Sequence, residues 1–280
     1  MSVEQDKLEQ KYRKLQDLLH QTGGLAVAFS GGVDSTLLAS VAVRVLGERA
    51  LAVTALSPSY PDWEQSEAAL LAKQIGIRHV QVTTHEMDDP HFAANPPDRC
   101  YYCKSELVEI VKREAKANGL AAVADGANVD DLGDHRPGRR AIKEGGVISP
   151  LLEAGLTKAD IRELSRRLGL PTADKPSLAC LASRIPYGTP ITADKLTAVD
   201  RVEGVLRRLG FKQIRVRHHG DVARLEVDPS ELARLCEPAV RSEVVRAAKA
   251  AGFVYVTADL EGYRTGSMNA VLDESVQSRG

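Results

Sequence analysis

The 280-residue chain is poor in aromatic side chains, with 4% Phe, Trp and Tyr together and a single tryptophan. It also has no excess of either charge: 37 Lys and Arg stand against 38 Asp and Glu, a formal net charge of −1. A protein that lives on nucleic-acid backbones usually carries a basic surplus, so the balance favours a small-molecule substrate and no nucleic-acid partner. No stretch approaches the roughly 20 apolar residues of a membrane span, which argues against a membrane partner. The N-terminal residues SVEQDKLEQKYRKLQ are charged and helical in pattern, unlike a signal peptide. There are only four cysteines and no export signal. That combination points to a reducing cytoplasm and to thiol, metal or cluster chemistry rather than a disulfide framework. Two familiar phosphate-binding signatures, G-x-x-x-x-G-K-[ST] and G-x-G-x-x-G, are absent as well, which excludes a kinase- or GTPase-type loop.

What is present is LAVAFSGGVDSTLLAS, residues 25–40. A short apolar run, residues 25–29, reads as a buried strand, and the apolar-rich segment 36–46 reads as a helix. A strand that turns through Gly31-Gly32 into a helix N-terminus is an anion site: glycine lets backbone N–H groups close on an oxyanion, and the positive helix end holds it. Ser30, Ser35 and Thr36 add hydroxyl donors, and Asp34 is a ligand for the Mg²⁺ that accompanies a polyphosphate. The bland alternative is a glycine turn with Asp34 and Ser35 capping a helix.

Strand patterns at 50–56, 79–83 and 121–124 alternate with helical patterns at 63–75 and 105–118. The spacing predicts an α/β fold, a doubly wound parallel sheet, with ligands beyond the strand C-termini where Ser30, Ser57 and Asp125 fall. The loop 125–131 (DGANVDD) gathers acids, Asn128 and Gly126, and reads as a nucleotide or Mg²⁺ contact or else as a solvated turn. In 135–140 (HRPGRR), three arginines within five residues suit either an anion clamp or a charged helix start. Residues 157–169 read as a helix capped by Thr157. The aperiodic stretch 174–188 (DKPSLACLASRIPYG) marks a functional loop and the domain boundary, giving domains 1–185 and 186–280. The second domain has a smaller α+β pattern, with helices at 193–209, 230–235 and 238–250 and strands at 213–217, 223–227 and 253–257.

Cys100 and Cys103 have C-x-x-C spacing just before helix 105–118, too few ligands for a structural zinc site by themselves. Cys180 lies in the aperiodic loop beside Ser183 and Arg184, where a cation favours thiolate. Cys236, among Leu232, Leu235 and Val240, is expected to be a core thiol. Three thiolates, Cys100, Cys103 and Cys180, suit a [4Fe–4S] cluster with one open iron. A redox C-x-x-C and an inert loop thiol are the alternatives.

The SGGxDS loop resembles that of the ATP-pyrophosphatase (PP-loop) superfamily. Together with RCYYCK, DGANVDDLGDHRPG, KPSLACLASRIPYG and GYRTGSMN, it makes nearly the whole chain resemble the LarE family of ATP-dependent sulfur transferases. The resemblance implies adenylation of a pyridinium dicarboxylate mononucleotide and replacement of AMP by sulfur, in building a nickel-pincer cofactor. It also implies a homo-oligomer. In one branch of that family the cysteine at the CLASR position, here Cys180, is consumed; another carries three cysteines and uses a cluster. The presence of Cys100 and Cys103 places this chain with the second. Cys180, Asp34 and Arg184 are then the expected catalytic residues. Ser30, Gly31, Gly32, Asp34, Ser35, Gly126, Arg215 and Arg217 are the expected binding residues, the last two alternating onto one strand face, with a solvated face as their bland alternative. Glu203 and Glu226 are further acids with a weaker claim to a metal. Competing readings are a PP-loop tRNA-thiolating enzyme, a non-catalytic nucleotide sensor and an ammonia-using amide synthetase.

Overall fold

The computed structural model describes residues 3–133, 137–176, 179–264 and 266–268. His135, Arg136, Ser177, Leu178, Thr265 and Asn269, named above in motifs, lie outside these residues. The chain divides into two compact units: the described residues up to 86 and from 98 to 176, and those of 87–97 and from 179 onward.

The first unit is built on four parallel strands, β1 (Leu25–Ala28), β2 (Ala50–Leu56), β3 (Arg78–Thr83) and β4 (Ala122–Ala124), in the order β3-β2-β1-β4. Its principal helices are α1 (Val3–Thr22), α2 (Val33–Leu46), α3 (Asp62–Ile75), α4 (Arg99–Ala117), α5 (Gly138–Glu144) and α6 (Lys158–Arg167). The central strand β1 is apolar throughout because both its faces are covered. Leu25 and Val27 pack into a core with Leu15 and Leu19 of α1, Leu37, Leu38 and Val41 of α2, and Ile161 and Leu164 of α6. Ala26, one residue out of phase, faces the other way, onto Ile110, Val111 and Ala115 of α4. That alternation is the period-2 signature of a strand with helices on both sides. The doubly wound parallel sheet expected from the sequence is what the chain forms.

The second unit has a three-stranded mixed sheet, β5 (Ile214–His219), β6 (Val222–Val227) and β7 (Tyr255–Ala258), ordered β5-β6-β7, with β5 antiparallel and β7 parallel to β6. Helix α7 (Ala193–Arg208) packs on β5 and on α8 (Pro238–Ala250). The smaller α+β pattern therefore holds, but the division does not fall at 185/186. The second unit already includes residues 179–185 and takes in 87–97 as well. Asn95 accounts for this: it is fully buried, its φ of 57° is in the left-handed region, and its Nδ2 donates to the carbonyls of Ile185, Pro186 and Thr189 at 3.2, 2.8 and 3.0 Å. Gly188 and Ile191 N–H groups return to the carbonyls of Asn95 and Ala93. This pairing spans some 90 residues of chain and has no local sequence signature. Among the described residues no helix is long and apolar enough to cross a membrane.

Candidate functional site

Helix α2 begins at Val33, three residues earlier than its apolar pattern suggests, so Asp34 and Ser35 stand in its first turn. The N-cap is Gly32, with no side-chain cap hydrogen bond, which removes the reading of Asp34 and Ser35 as mere caps. A helix's first N–H groups have no intrahelical acceptor, so this end, at the C-terminal edge of β1, can cradle an anion. Gly31 is required there. Its φ is +69°, and a Cβ would come within 3.1 Å of Ala68 Cα on α3. Ser30 and Ser35 brace the turn: their hydroxyls lie 3.2 Å apart, and Ser30 N–H donates to Ser35 Oγ at 3.3 Å. Thr36 differs from expectation. Its hydroxyl is buried with no hydrogen-bond partner among the described residues, because the fourth helical position turns inward.

The loop after β4 closes on this cradle. A Cβ on Gly126 would meet Ser35 N at 3.1 Å and Asp34 Cβ at 3.3 Å. Asn128 is buried and organises the loop: its Oδ1 accepts from Asp130 N–H at 3.0 Å, and its Nδ2 donates to Asp34 Oδ1 at 3.3 Å. Asp34 Oδ2 accepts from Lys158 Nζ at 2.5 Å. Lys158 is the first residue of α6, placed by the Thr157–Asp160 capping box. Lys175 Nζ, from the stretch before the unit boundary, donates to Gly31 O at 3.0 Å and to Glu67 Oε2 at 2.9 Å. Neither lysine was identified from sequence. Lys158 falls on a helix whose amphipathic pattern accounts for it without a site, and Lys175 reaches the glycine loop from 144 residues away in the chain. Of the three arginines in 136–140, Arg139 donates to Asp131 O, and Arg140 stacks over the Tyr101 ring at 4.0 Å. Both arginines thus have partners around α4 and α5.

The C-x-x-C is not ahead of a helix but inside one. Helix α4 starts at Arg99, so Cys100 and Cys103 lie one turn apart at its N-terminal end. Cys103 Sγ donates to Glu86 Oε2 at 3.3 Å. Glu86 is itself buried, and its Oε1 accepts from the Ser57 and Ser59 hydroxyls. Cys180 is half-buried ahead of a 3₁₀ turn, Leu181–Arg184, in the second unit. No cysteine is in a disulfide. Cys236 is exposed, contrary to the expected core role. A short helix, Leu232–Leu235, ends just before it and α8 opens at Pro238, so Leu235 takes the inward position. Among the described residues no three His, Cys, Asp or Glu side chains are grouped to hold a metal ion.

Within the second unit Arg184, Arg215 and Arg217 are buried, so the solvated-face reading of Arg215 and Arg217 fails. Arg217 grips Glu226 with both ends of its fork, at 2.9 and 2.8 Å, and also donates to Ser183 O and Ser267 Oγ. Arg184 does the same to Glu203, at 2.8 and 3.0 Å. Burial would raise the Glu203 carboxyl, but Arg184 and the Val216 N–H hold it below its ordinary range. Burial, then the neighbouring Arg184, lowers Arg215, which stacks over Tyr263 at 5.0 Å. Breaking one such buried pair by removing a single partner costs about 3–5 kcal/mol. Glu203 and Glu226 therefore act here as arginine partners. Arg184, expected to be catalytic, has its guanidinium taken up by a carboxylate and loop carbonyls.

Residues 14–98, which include the glycine loop, match the asparagine synthase family. An uncharacterized protein of Synechocystis sp. is 47% identical over 265 residues, covering 95% of this chain and 99% of its own. The pyridinium-3,5-bisthiocarboxylic acid mononucleotide synthase of Lactiplantibacillus plantarum is 39% identical over 262 residues, 93% of each chain. An uncharacterized protein of Methanocaldococcus jannaschii is 30% identical over 241 residues, 86% of this chain and 91% of its own.

Proposed function

Since the chain belongs to the LarE family of ATP-dependent sulfur transferases, we propose that it converts pyridinium-3,5-biscarboxylic acid mononucleotide to its thiocarboxylate forms. The observation that carries the reading is the cradle itself: β1 runs through Gly31-Gly32 into a helix end that no side chain caps, with Asp34 in the first turn. A carboxylate is a poor electrophile until its oxygen becomes a leaving group. One carboxylate oxygen of the substrate attacks the α-phosphorus of ATP, the bond to the bridging oxygen breaks, and pyrophosphate leaves with the electron pair. Residues 31–35 receive it, since N–H groups fixed in advance stabilise charge as it develops. Sulfur then bonds to the acyl carbon, and the C–O bond breaks with AMP as the departing group. The second carboxylate repeats the sequence.

The Asp34 carboxylate already holds one cation, the Lys158 ammonium, so it fits Mg²⁺. Mg²⁺ bound there would offset charge on the phosphates. The Lys158 ammonium stands beside the same cradle, where it would also offset phosphate charge. Accordingly, Lys158→Gln is expected to raise the KM for ATP and lower the pyrophosphate-release kcat, each about tenfold, measured by a coupled phosphate assay. Arg215 and Arg217, buried on alternate positions of β5, are proposed to bind the substrate's anionic groups, Arg217 only on exchanging its Glu226 partner for them.

For the sulfur source, the donor chemistry of Cys100, Cys103 and Cys180 fits a [4Fe–4S] cluster, although the described residues contain no assembled ligand group. Such a cluster would supply an open iron able to carry sulfide. The alternative needs only Cys180: its thiolate attacks the acyl carbon, the Cα proton is removed, and the Cβ–S bond breaks to leave dehydroalanine. Incubation of the protein with ATP, Mg²⁺ and the dicarboxylate nucleotide tests the function. Pyrophosphate and a thiocarboxylate product are expected together. ATP binding without turnover would reduce the protein to a nucleotide sensor.

A further inference from the structure

Arg184 uses its whole guanidinium without presenting any of it to an open site. Nε and Nη2 bind the two oxygens of Glu203, while Nη1 donates to Ala179 O at 2.5 Å, Cys180 O at 3.0 Å and Ser183 Oγ at 3.0 Å. Glu203 is tied in turn to the sheet, accepting from Val216 N–H at 3.0 Å. The chain of contacts therefore runs from β5 through a carboxylate on α7 and one guanidinium to the backbone carbonyl of Cys180 itself. That carbonyl is also the acceptor for Ser183 N–H, the bond that closes the 3₁₀ turn. With the peptide planes on both sides of Cys180 held, the direction of its Cα–Cβ bond is set, and the half-buried thiol is aimed.

We infer that Arg184 is the positioning residue for Cys180, acting through the backbone on sulfur delivery and not on adenylation. The inference rests on the proposed function for the identity of the reaction, but not for the geometry. Two properties of the side chain make it suited to the role. Only a planar fork donates to a carboxylate on one edge and to carbonyls on the other, so lysine does not replace it. The fork is also pre-organised, and a displacement of about 1 Å at a reacting group costs about a hundredfold in rate.

The test compares wild type with Arg184→Lys and Glu203→Gln, each assayed for pyrophosphate, for thiocarboxylate and for the rate of iodoacetamide attack on each cysteine, resolved by peptide mass. In both variants the ratio of thiocarboxylate to pyrophosphate is expected to fall about tenfold to a hundredfold, with pyrophosphate formation retained. Alkylation of Cys180 is expected to accelerate several-fold because its loop is released, while the half-buried Cys103 and the exposed Cys236 keep their wild-type rates. A merely structural pair would lower both products together, or speed alkylation at Cys103 too, and either result overturns the inference. So does an unchanged product ratio with unchanged Cys180 alkylation. Wild type that releases pyrophosphate but makes no thiocarboxylate overturns the functional reading alone, and the alkylation rates still decide Arg184.

Discussion

Asp34→Asn is expected to reduce pyrophosphate release about a hundredfold or more while leaving the protein folded. The substitution keeps the shape of the side chain and removes the charge. In the resting protein that charge holds the Lys158 ammonium at 2.5 Å and accepts from Asn128 at 3.3 Å. Both partners of the ion pair remain partly exposed, 33% for Lys158 and 24% for Asp34. Pairs this accessible are worth about 1 kcal/mol or less, so stability should change little. The loss falls instead on the reaction, because a group that offsets developing charge on a leaving pyrophosphate is worth about 10²–10³ in rate. Thermal melting checks the fold, and pyrophosphate release checks the chemistry. Wild-type release by this variant would remove Asp34 from the nucleotide site.

The same loop shows why part of the site was legible in the sequence. Gly31-Gly32 between an apolar run and a helical one is a local signal, and local signals survive translation into structure: the turn, the positive φ of Gly31 and the uncapped helix end all follow from adjacent residues. Layering was legible for a similar reason, since Leu25, Ala26 and Val27 alternate between two cores. What could not be read depends on distant partners. Lys158 and Lys175 converge on the loop from 124 and 144 residues away in the chain. Arg184 read as a catalytic cation because it adjoins Cys180 in the loop, but Glu203, 19 residues on, takes its charge. The helical start at Arg99 was hidden because Cys-Tyr-Tyr-Cys carries no capping signature of its own, and the Asp98 N-cap makes no side-chain cap bond. Asn95 moved the division between units for the same reason: its three carbonyl acceptors are invisible to any local pattern.

The two sulfur sources are separated by replacing the cysteines one at a time. If Cys100, Cys103 and Cys180 share a cluster, each thiolate supplies a bond that the others cannot replace. Each change to Ala is then expected to lower iron content and sulfur transfer together while pyrophosphate release survives. The fold should tolerate all three. Cys100 is exposed, Cys180 is half-buried, and the loss of Cys103 leaves Glu86 still accepting from Ser57 and Ser59. Protein purified without oxygen should contain iron and sulfide, and should turn over repeatedly with added sulfide at constant mass. If Cys180 is consumed instead, only Cys180→Ala is inactive. Each turnover then takes one sulfur and two hydrogens, about 34 Da, from the chain as cysteine becomes dehydroalanine. Cys100 and Cys103 stand one turn apart on α4, a spacing at which two thiolates can bind one cluster. Full activity in Cys100→Ala and Cys103→Ala, together with the mass loss in wild type, would assign the sulfur to Cys180 alone.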